Sequence, residues 1–214
     1  MGHDLFKSVS QGSDRAQDEE NRRIEEIANE LERLCQVHEA QFGDGKANVN
    51  RNEIEFRLAE QFAKDNGCWI PIMQVFDLGI PGPSGNENDT YVSDEFIYKV
   101  NNLMNSGNIV SLFRRIMMHN ILFPDTAYQF HGFTGFEGRS IQPIFRQSRI
   151  ENSRPATQIM IDTYMAALGF QRSATTGFFT NGIYDVWDIL PRNVLIDNDG
   201  DIYIIDAEIC IHKK

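Results

Sequence analysis

One segment towards the C-terminal end limits what this chain can fold into more than any other. Its sequence, DILPRNVLIDNDGDIYIID, runs from Asp188 to Asp206. Two apolar runs, 194–196 and 202–205, flank an Asp-Asn-Asp-Gly-Asp turn, and this pattern is a strong signal for a β-hairpin. A hairpin brings the start of its first strand beside the end of its second. We therefore expect Asn193 and Asp206 to lie close together, with Asp188 nearby on the preceding loop.

Two carboxylates and one amide oxygen in one place make a hard-oxygen site suited to magnesium. The order Asp-x4-Asn, an apolar triplet, a turn glycine and a final Asp resembles the catalytic loop and metal-binding aspartate of protein-kinase-like enzymes. The resemblance implies that Asp188 orients the acceptor hydroxyl, and that Asn193 and Asp206 hold magnesium.

A kinase-like site also needs a lysine that binds phosphates, and the predicted strand over 96–100 supplies Lys99. The loop before it is rich in glycine and includes Gly82 and Gly85. The backbone N–H groups of such a loop can lie over the phosphates of ATP. The prolines in this loop fit an ordinary surface loop equally well. Lys99 and the glycines are therefore candidates for phosphate binding only because the segment 188–206 resembles a kinase site.

Four segments of the chain resemble, in this order, the kinase-like domain found in polyvalent proteins of phages and conjugative elements. They are GNENDTYVSDEFIYKVNN, HNILFPDTAYQFHGFTG, IQPIFRQ and DILPRNVLIDNDGDIYIIDAE. The resemblance covers about residues 55–210. It carries over Lys99, Asp188, Asn193 and Asp206, and it implies ATP and magnesium as cofactors.

The fold that this resemblance implies is α+β, a minimal protein-kinase-like fold. We expect an antiparallel N-lobe sheet with a packed helix and a truncated C-lobe that carries the catalytic hairpin. The predicted domains are an N-terminal helical extension over 1–45, the N-lobe over 50–150, and the C-lobe with its catalytic and metal-binding loop over 151–214.

Several departures from the kinase pattern leave two functions open. Val186 stands where kinases usually have His, Ala207 follows the metal aspartate, and only eight residues follow Asp206. No glutamate lies between 101 and 125 to pair with Lys99, so either Glu60 or Glu87 replaces it or the ion pair is absent. The first function is an ATP- and magnesium-dependent phosphotransferase with an unknown hydroxyl acceptor. The second is a catalytically inactive kinase-like module that binds a nucleotide or a protein partner.

Hydrophobic periodicity predicts the remaining elements. Apolar residues at helical spacing predict helices over 18–41, from about 52 to 67, over 109–122 and over 158–168. Short apolar runs predict strands over 69–76, 91–92, 96–100, 128–133, 140–145 and 194–203. The first helix could bind a partner, but such a stripe more often packs on its own domain.

Composition excludes several other functions. The chain has 214 residues and a net charge of −11, which argues against broad nucleic-acid binding because that needs a basic face. No apolar run is long enough to span a membrane, and the N-terminus has no apolar signal region, so we expect a cytoplasmic protein. Three widely spaced cysteines indicate neither a disulfide framework nor a zinc site.

A calcium-binding loop is the main competing interpretation of the acidic turn. Asp197, Asp199 and Asp201 alternate as in an EF-hand, but Ile202 occupies the sixth position, where that loop requires glycine. The flanking runs are also β-like and not helical. A solvated hairpin turn is the simpler expectation.

Overall fold

The chain folds as α+β with antiparallel strand pairs, as the computed structural model shows for residues 3–42 and 51–213. It divides into two compact units. The first comprises Met1–Met117 with Tyr128–Gln147, and the second comprises Met118–Ala127 with Ser148–Lys214. Among the described residues, no helix is both long and apolar enough to cross a membrane.

The helices confirm the predicted periodicity. They are α1 His3–Phe42, α2 Arg51–Asp65, α3 Ile109–Leu122 and α4 Gln158–Ala167, with short 3-10 helices at Ile72–Leu78, Pro124–Thr126 and Pro191–Asn193. The strands are β1 Ile80–Pro81, β2 Asn88–Val92, β3 Phe96–Asn101, β4 Gln129–Thr134, β5 Gln142–Ser148, β6 Arg154–Pro155, β7 Gln171–Arg172, β8 Phe179–Thr180, β9 Tyr184–Trp187, β10 Val194–Ile196, β11 Ile202–Ile204 and β12 Glu208–Ile211.

A five-stranded sheet forms the centre of the first unit, in the order β1-β2-β3-β5-β4. Helix α1 buries Ile24, Ile27 and Leu31 in the same core as α2, α3 and strands β4 and β5, because their spacing of three and four residues places them on one helix face. The first helix therefore packs within its own unit. Phe113 of α3 lies at the centre of this core, with its ring 5.2–5.9 Å from three other phenylalanine rings.

A buried carboxylate fixes the start of α3. Glu55 on α2 accepts hydrogen bonds from the backbone N–H groups of Ile109 and Val110 at 3.0 and 3.2 Å, two of the donors that a helix start leaves without an intrahelical partner. Burial raises the pKa of Glu55, and these two hydrogen bonds oppose the rise. The contact joins α2 to α3.

The second unit contains two small sheets, ordered β11-β10-β6 and β12-β9-β8-β7. Its core gathers Ile161 and Met165 of α4 with Ile189 and Val194, all of them fully buried. Thr126 donates a hydrogen bond of 2.6 Å from its buried hydroxyl to the carbonyl oxygen of Ile204, which ties the 3-10 helix Pro124–Thr126 to β11.

One predicted strand is wrong. Residues 69–76 contribute only a single bridge, from Trp69 to Phe133, and the chain then enters the 3-10 helix Ile72–Leu78. Pro71 has no N–H group to give to a ladder, so the extended backbone stops at this residue. The apolar run WIPIMQVF satisfies the pattern of a strand without the hydrogen bonds of one.

Candidate functional site

Two antiparallel ladders hold the segment that the sequence singles out. Strand β9 leads into Asp188 and β12 leads away from Asp206, and the two strands pair with Trp187 opposite Glu208. Strands β10 and β11 pair with Val194 opposite Ile204. The short stretches 188–193 and 205–207 connect the same two ladders, so they run side by side.

Asp188 and Asn193 are in direct contact. The side-chain nitrogen of Asn193 donates to a carboxylate oxygen of Asp188 and to its backbone carbonyl, both at 2.8 Å. The other carboxylate oxygen of Asp188 pairs with Arg192. These bonds use the amide nitrogen of Asn193 and not its amide oxygen. Asn193 therefore has one oxygen that can serve as a metal ligand.

A backbone hydrogen bond brings the residue before Asp206 next to Asn193. The backbone N–H of Ile205 donates to the carbonyl oxygen of Asn193 at 2.9 Å, which places Asp206 one residue from that hydrogen bond. The structure therefore brings Asp188, Asn193 and the backbone at Asp206 into one small region of the second unit. Their roles in catalysis and metal binding stay predictions.

The backbone at Asp188 is in the left-handed region, with φ of 63°. Aspartate is one of the few residues other than glycine that adopt this region readily, because its short polar side chain can hydrogen-bond locally. Here those local bonds come from Arg192 and Asn193. The conformation aims the Asp188 carboxylate at the loop 189–193 rather than along strand β9.

Gly177 supports the same loop from outside the motif, and sequence reasoning missed it. Its carbonyl oxygen accepts the backbone N–H of Ile189 at 3.1 Å. Its φ is 77°, and a Cβ atom at this position would lie 2.8 Å from Leu190 Cδ2. Only glycine fits this close approach without rearrangement.

An amide oxygen and a carboxylate oxygen, from Asn193 and Asp206, are a donor pair that suits magnesium. Magnesium is usually held by one or two protein side chains together with waters and substrate phosphates, and Asn193 and Asp206 could supply two such oxygens. Within 3–42 and 51–213 no group of three or more His, Cys, Asp or Glu side chains could hold a metal alone. Two protein oxygens leave the other positions of an octahedral magnesium ion to waters and phosphates.

The acidic turn between β10 and β11 has a structural role. One carboxylate oxygen of Asp197 accepts the backbone N–H groups of Asp199, Gly200 and Asp201 at 2.9–3.0 Å. Burial favours a higher pKa for Asp197, but these bonds and the one from the Tyr203 hydroxyl lower it. Because the carboxylate caps its own turn, the geometry supports the solvated hairpin turn over a calcium loop.

Lys99 lies in the first unit on β3, directly opposite Thr90 of β2. It is buried, with 7% of its surface exposed, and its ammonium group donates to the hydroxyl of Tyr128 at 2.8 Å. A solvated strand lysine would be exposed, so burial sets Lys99 apart from the ordinary surface interpretation. Tyr128 carried no signal in the sequence that linked it to Lys99.

The glycine-rich loop forms a hairpin beside this lysine strand. Strand β1 pairs with β2, and the Gly82 N–H donates to the carbonyl oxygen of Thr90 at 2.9 Å. A Cβ atom at Gly82 would lie 2.8 Å from Thr90 Oγ1, whereas Gly85 has open space around it. Gly82 is therefore required by close packing, and Gly85 lies at the open turn.

The two carboxylates proposed as partners of Lys99 have other partners. Glu60 accepts from Lys64 at 2.8 Å and from the backbone N–H of Gly138 at 2.8 Å, and the Lys64 bond lowers its pKa. Glu87 pairs with Arg115 of α3 at 2.6 Å. Neither contact was anticipated from the sequence.

A glycine hairpin, a buried lysine on the third strand of the sheet and an Asp–Asn loop before a final Asp together define a kinase-like protein. Comparison with known families agrees. Residues 52–213 match the model of the serine/threonine/tyrosine kinase found in polyvalent proteins, and this confirms the family predicted from the sequence. The chain belongs to that family. No curated protein matches the chain.

Proposed function

We propose that this chain is an ATP- and magnesium-dependent phosphotransferase that acts on a hydroxyl acceptor. The hydrogen-bonded pair of Asp188 and Asn193, beside the backbone that carries Asp206, is the observation that supports this function best. In a phosphotransferase the protein mainly positions the reactants and stabilises charge. A rigid loop held by two ladders is suited to positioning.

Each proposed residue has a distinct task. Asp188 accepts the hydrogen bond of the acceptor hydroxyl, because a carboxylate oxygen has lone pairs beyond those used by Arg192 and Asn193. Asn193 and Asp206 would hold magnesium through their side-chain oxygens. Magnesium, when bound, supplies positive charge that offsets the charge of the phosphates.

Lys99 and the glycine-rich loop are the proposed phosphate-binding groups. Lys99 donates to the α- and β-phosphates, and Tyr128 holds its ammonium group in place. The backbone of the loop that contains Gly82 and Gly85 covers the phosphates. We retain the predicted division into an extension (1–45), an N-lobe (50–150) and a minimal C-lobe (151–214) as part of this proposal.

A thermal-shift titration with ATP and magnesium tests the binding step. A ligand present at 100 times its Kd stabilises the folded chain by about 2.7 kcal/mol. For a chain of this length each kcal/mol moves the Tm by about 2–4 °C, so wild type should gain about 5–10 °C. Asp206→Ala should gain much less. Equal, negligible shifts in both proteins would contradict the proposal.

The inactive module remains the second candidate, since Asp188 pairs with Arg192 and α3 carries no acidic residue. Such a module would serve as a nucleotide- or protein-binding domain. The two candidates differ in turnover. Magnesium-dependent release of ADP that disappears in Asp188→Ala would exclude the inactive module, whereas nucleotide binding without any ADP release would favour it.

A further inference from the structure

A buried ion pair links the glycine loop to helix α3. Glu87, the residue just before β2, accepts a hydrogen bond of 2.6 Å from the guanidinium of Arg115. Their side chains are only 9% and 13% exposed. Charged side chains are rarely buried to this degree unless they are paired, so the contact is a specific feature of the fold.

Glu87 also holds the chain that follows β3. Its carboxylate accepts from the side chains of Asn105 and Ser106 at 3.2 and 3.5 Å. Its backbone carbonyl accepts the N–H of Asn102 at 2.9 Å. One residue therefore connects the end of the glycine loop, the segment 102–106 and α3.

The charges on this helix are opposite to those that a lysine–glutamate pair would require. Helix α3 reads IVSLFRRIMMHNIL and contains no acidic residue. It supplies a cation, Arg115, and the sheet side supplies the anion, Glu87. The pair reaches the glycine loop two residues after Gly85.

We propose that the Glu87–Arg115 pair is a positioning device that fixes the glycine loop on α3 for nucleotide binding. This inference rests on the proposed function. A charged pair with little solvent around it resists displacement more than an exposed pair does, because separating it leaves a buried charge without compensation. The loop that contains Gly82 and Gly85 is thereby held in the hairpin conformation in which it would cover the phosphates.

The neighbouring residue on α3 offers a matched control. Arg114 also pairs with a glutamate, Glu32 of α1, but its side chain is 57% exposed. Arg114→Met and Arg115→Met therefore make the same chemical change at adjacent positions of one helix. Arg115 contacts the glycine loop through Glu87, whereas Arg114 pairs with Glu32 of α1.

Hydrogen exchange tests the positioning without any nucleotide. The amides of Gly82 and Gly85 donate to Thr90 and Asn88, so their exchange reports how firmly the loop is held. We expect Arg115→Met to speed their exchange at least 10-fold and Arg114→Met to leave it unchanged. Equal exchange in the two variants would overturn the proposal.

Nucleotide affinity gives the second measurement, on folded protein below the unfolding transition of every variant. Arg115→Met should weaken binding of a non-hydrolysable ATP analogue at least 10-fold, and Arg115→Lys should retain part of the affinity. If Arg115→Met does not fold, the double variant Glu87→Gln/Arg115→Met removes both charges, and we expect the same loss.

The outcomes separate the two proposals. Normal binding by wild type with equal affinity in Arg115→Met, or in the double variant, overturns the positioning role alone. If Arg115→Met lowers the melting temperature but leaves the affinity for the ATP analogue unchanged, the pair only stabilises the fold. That result also overturns the positioning role. Absence of nucleotide binding by wild type overturns the proposed function and this inference with it.

Discussion

The substitution Gly177→Ala tests the contact that supports the Asp188 loop. At φ of 77° an alanine is strained, which costs about 1–2 kcal/mol. Its Cβ would also lie 2.8 Å from Leu190 Cδ2 and 3.2 Å from the carbonyl oxygen of Ile189. Overpacking of this kind costs about 1–3 kcal/mol more. We therefore expect a total loss of about 2–5 kcal/mol in the free energy of unfolding.

Gly182→Ala is the matched control for this change. Gly182 lies in the same unit with a similar φ of 81°, and nothing lies within 4 Å of the position that a Cβ atom would take there. It should lose only the backbone cost of about 1–2 kcal/mol. The difference between the two variants, about 1–3 kcal/mol, measures the contact with the loop 188–193.

Urea denaturation followed by tryptophan fluorescence in a Trp69→Phe background measures both losses, because the remaining Trp187 immediately precedes Asp188 in the chain. Gly177→Ala should also reduce ADP release, since it displaces the Ile189 backbone that hydrogen-bonds to Gly177. Equal destabilisation by the two alanines, with normal ADP release in both, would refute the claim that Gly177 supports the loop.

Three further predictions concern single side chains. Asp188→Asn should keep the stability nearly unchanged, because asparagine also adopts left-handed backbone, while ADP release falls about 100-fold or more. Thr126→Val should cost about 1–3 kcal/mol in a urea titration by leaving the buried Ile204 carbonyl unpaired, and Thr163→Val, at an exposed hydroxyl, should cost under about 0.5 kcal/mol. The raised pKa of Glu55 means that the folded chain binds this proton more tightly, so stability should fall as the pH rises from the ordinary carboxyl pKa to the raised one. The urea midpoint of wild type relative to that of Glu55→Gln should show this fall when both proteins are measured at several pH values.

Local signals predicted much of the fold. Turn residues predicted the hairpin β10–β11, and periodicity predicted α3 at the bounds that the structure shows. Pairing across long stretches of chain had no such signal. The ladder between β9 and β12 joins residues more than 20 positions apart, and no turn motif marks it. The strand predicted over 69–76 failed because Pro71 interrupts the hydrogen bonding.

The residues of the candidate site also fall into two groups, those that a local sequence signal predicted and those that depend on long-range contacts. Asp188 and Asn193 follow from a spacing of five residues, so the sequence alone could bring them together. Gly177, Tyr128 and Arg115 act through contacts with distant segments, and their residue types are common at ordinary surface or core positions. Only the folded chain distinguishes them.

Calorimetric titration of a non-hydrolysable ATP analogue tests the central claim most directly. Wild type should bind one equivalent in the presence of magnesium, and chelating the magnesium should weaken this binding at least 10-fold. Asp206→Asn, which removes the proposed metal carboxylate, should bind weakly whether magnesium is present or not. Binding of equal strength in both proteins, with and without magnesium, would contradict the assignment of Asn193 and Asp206 as the magnesium ligands.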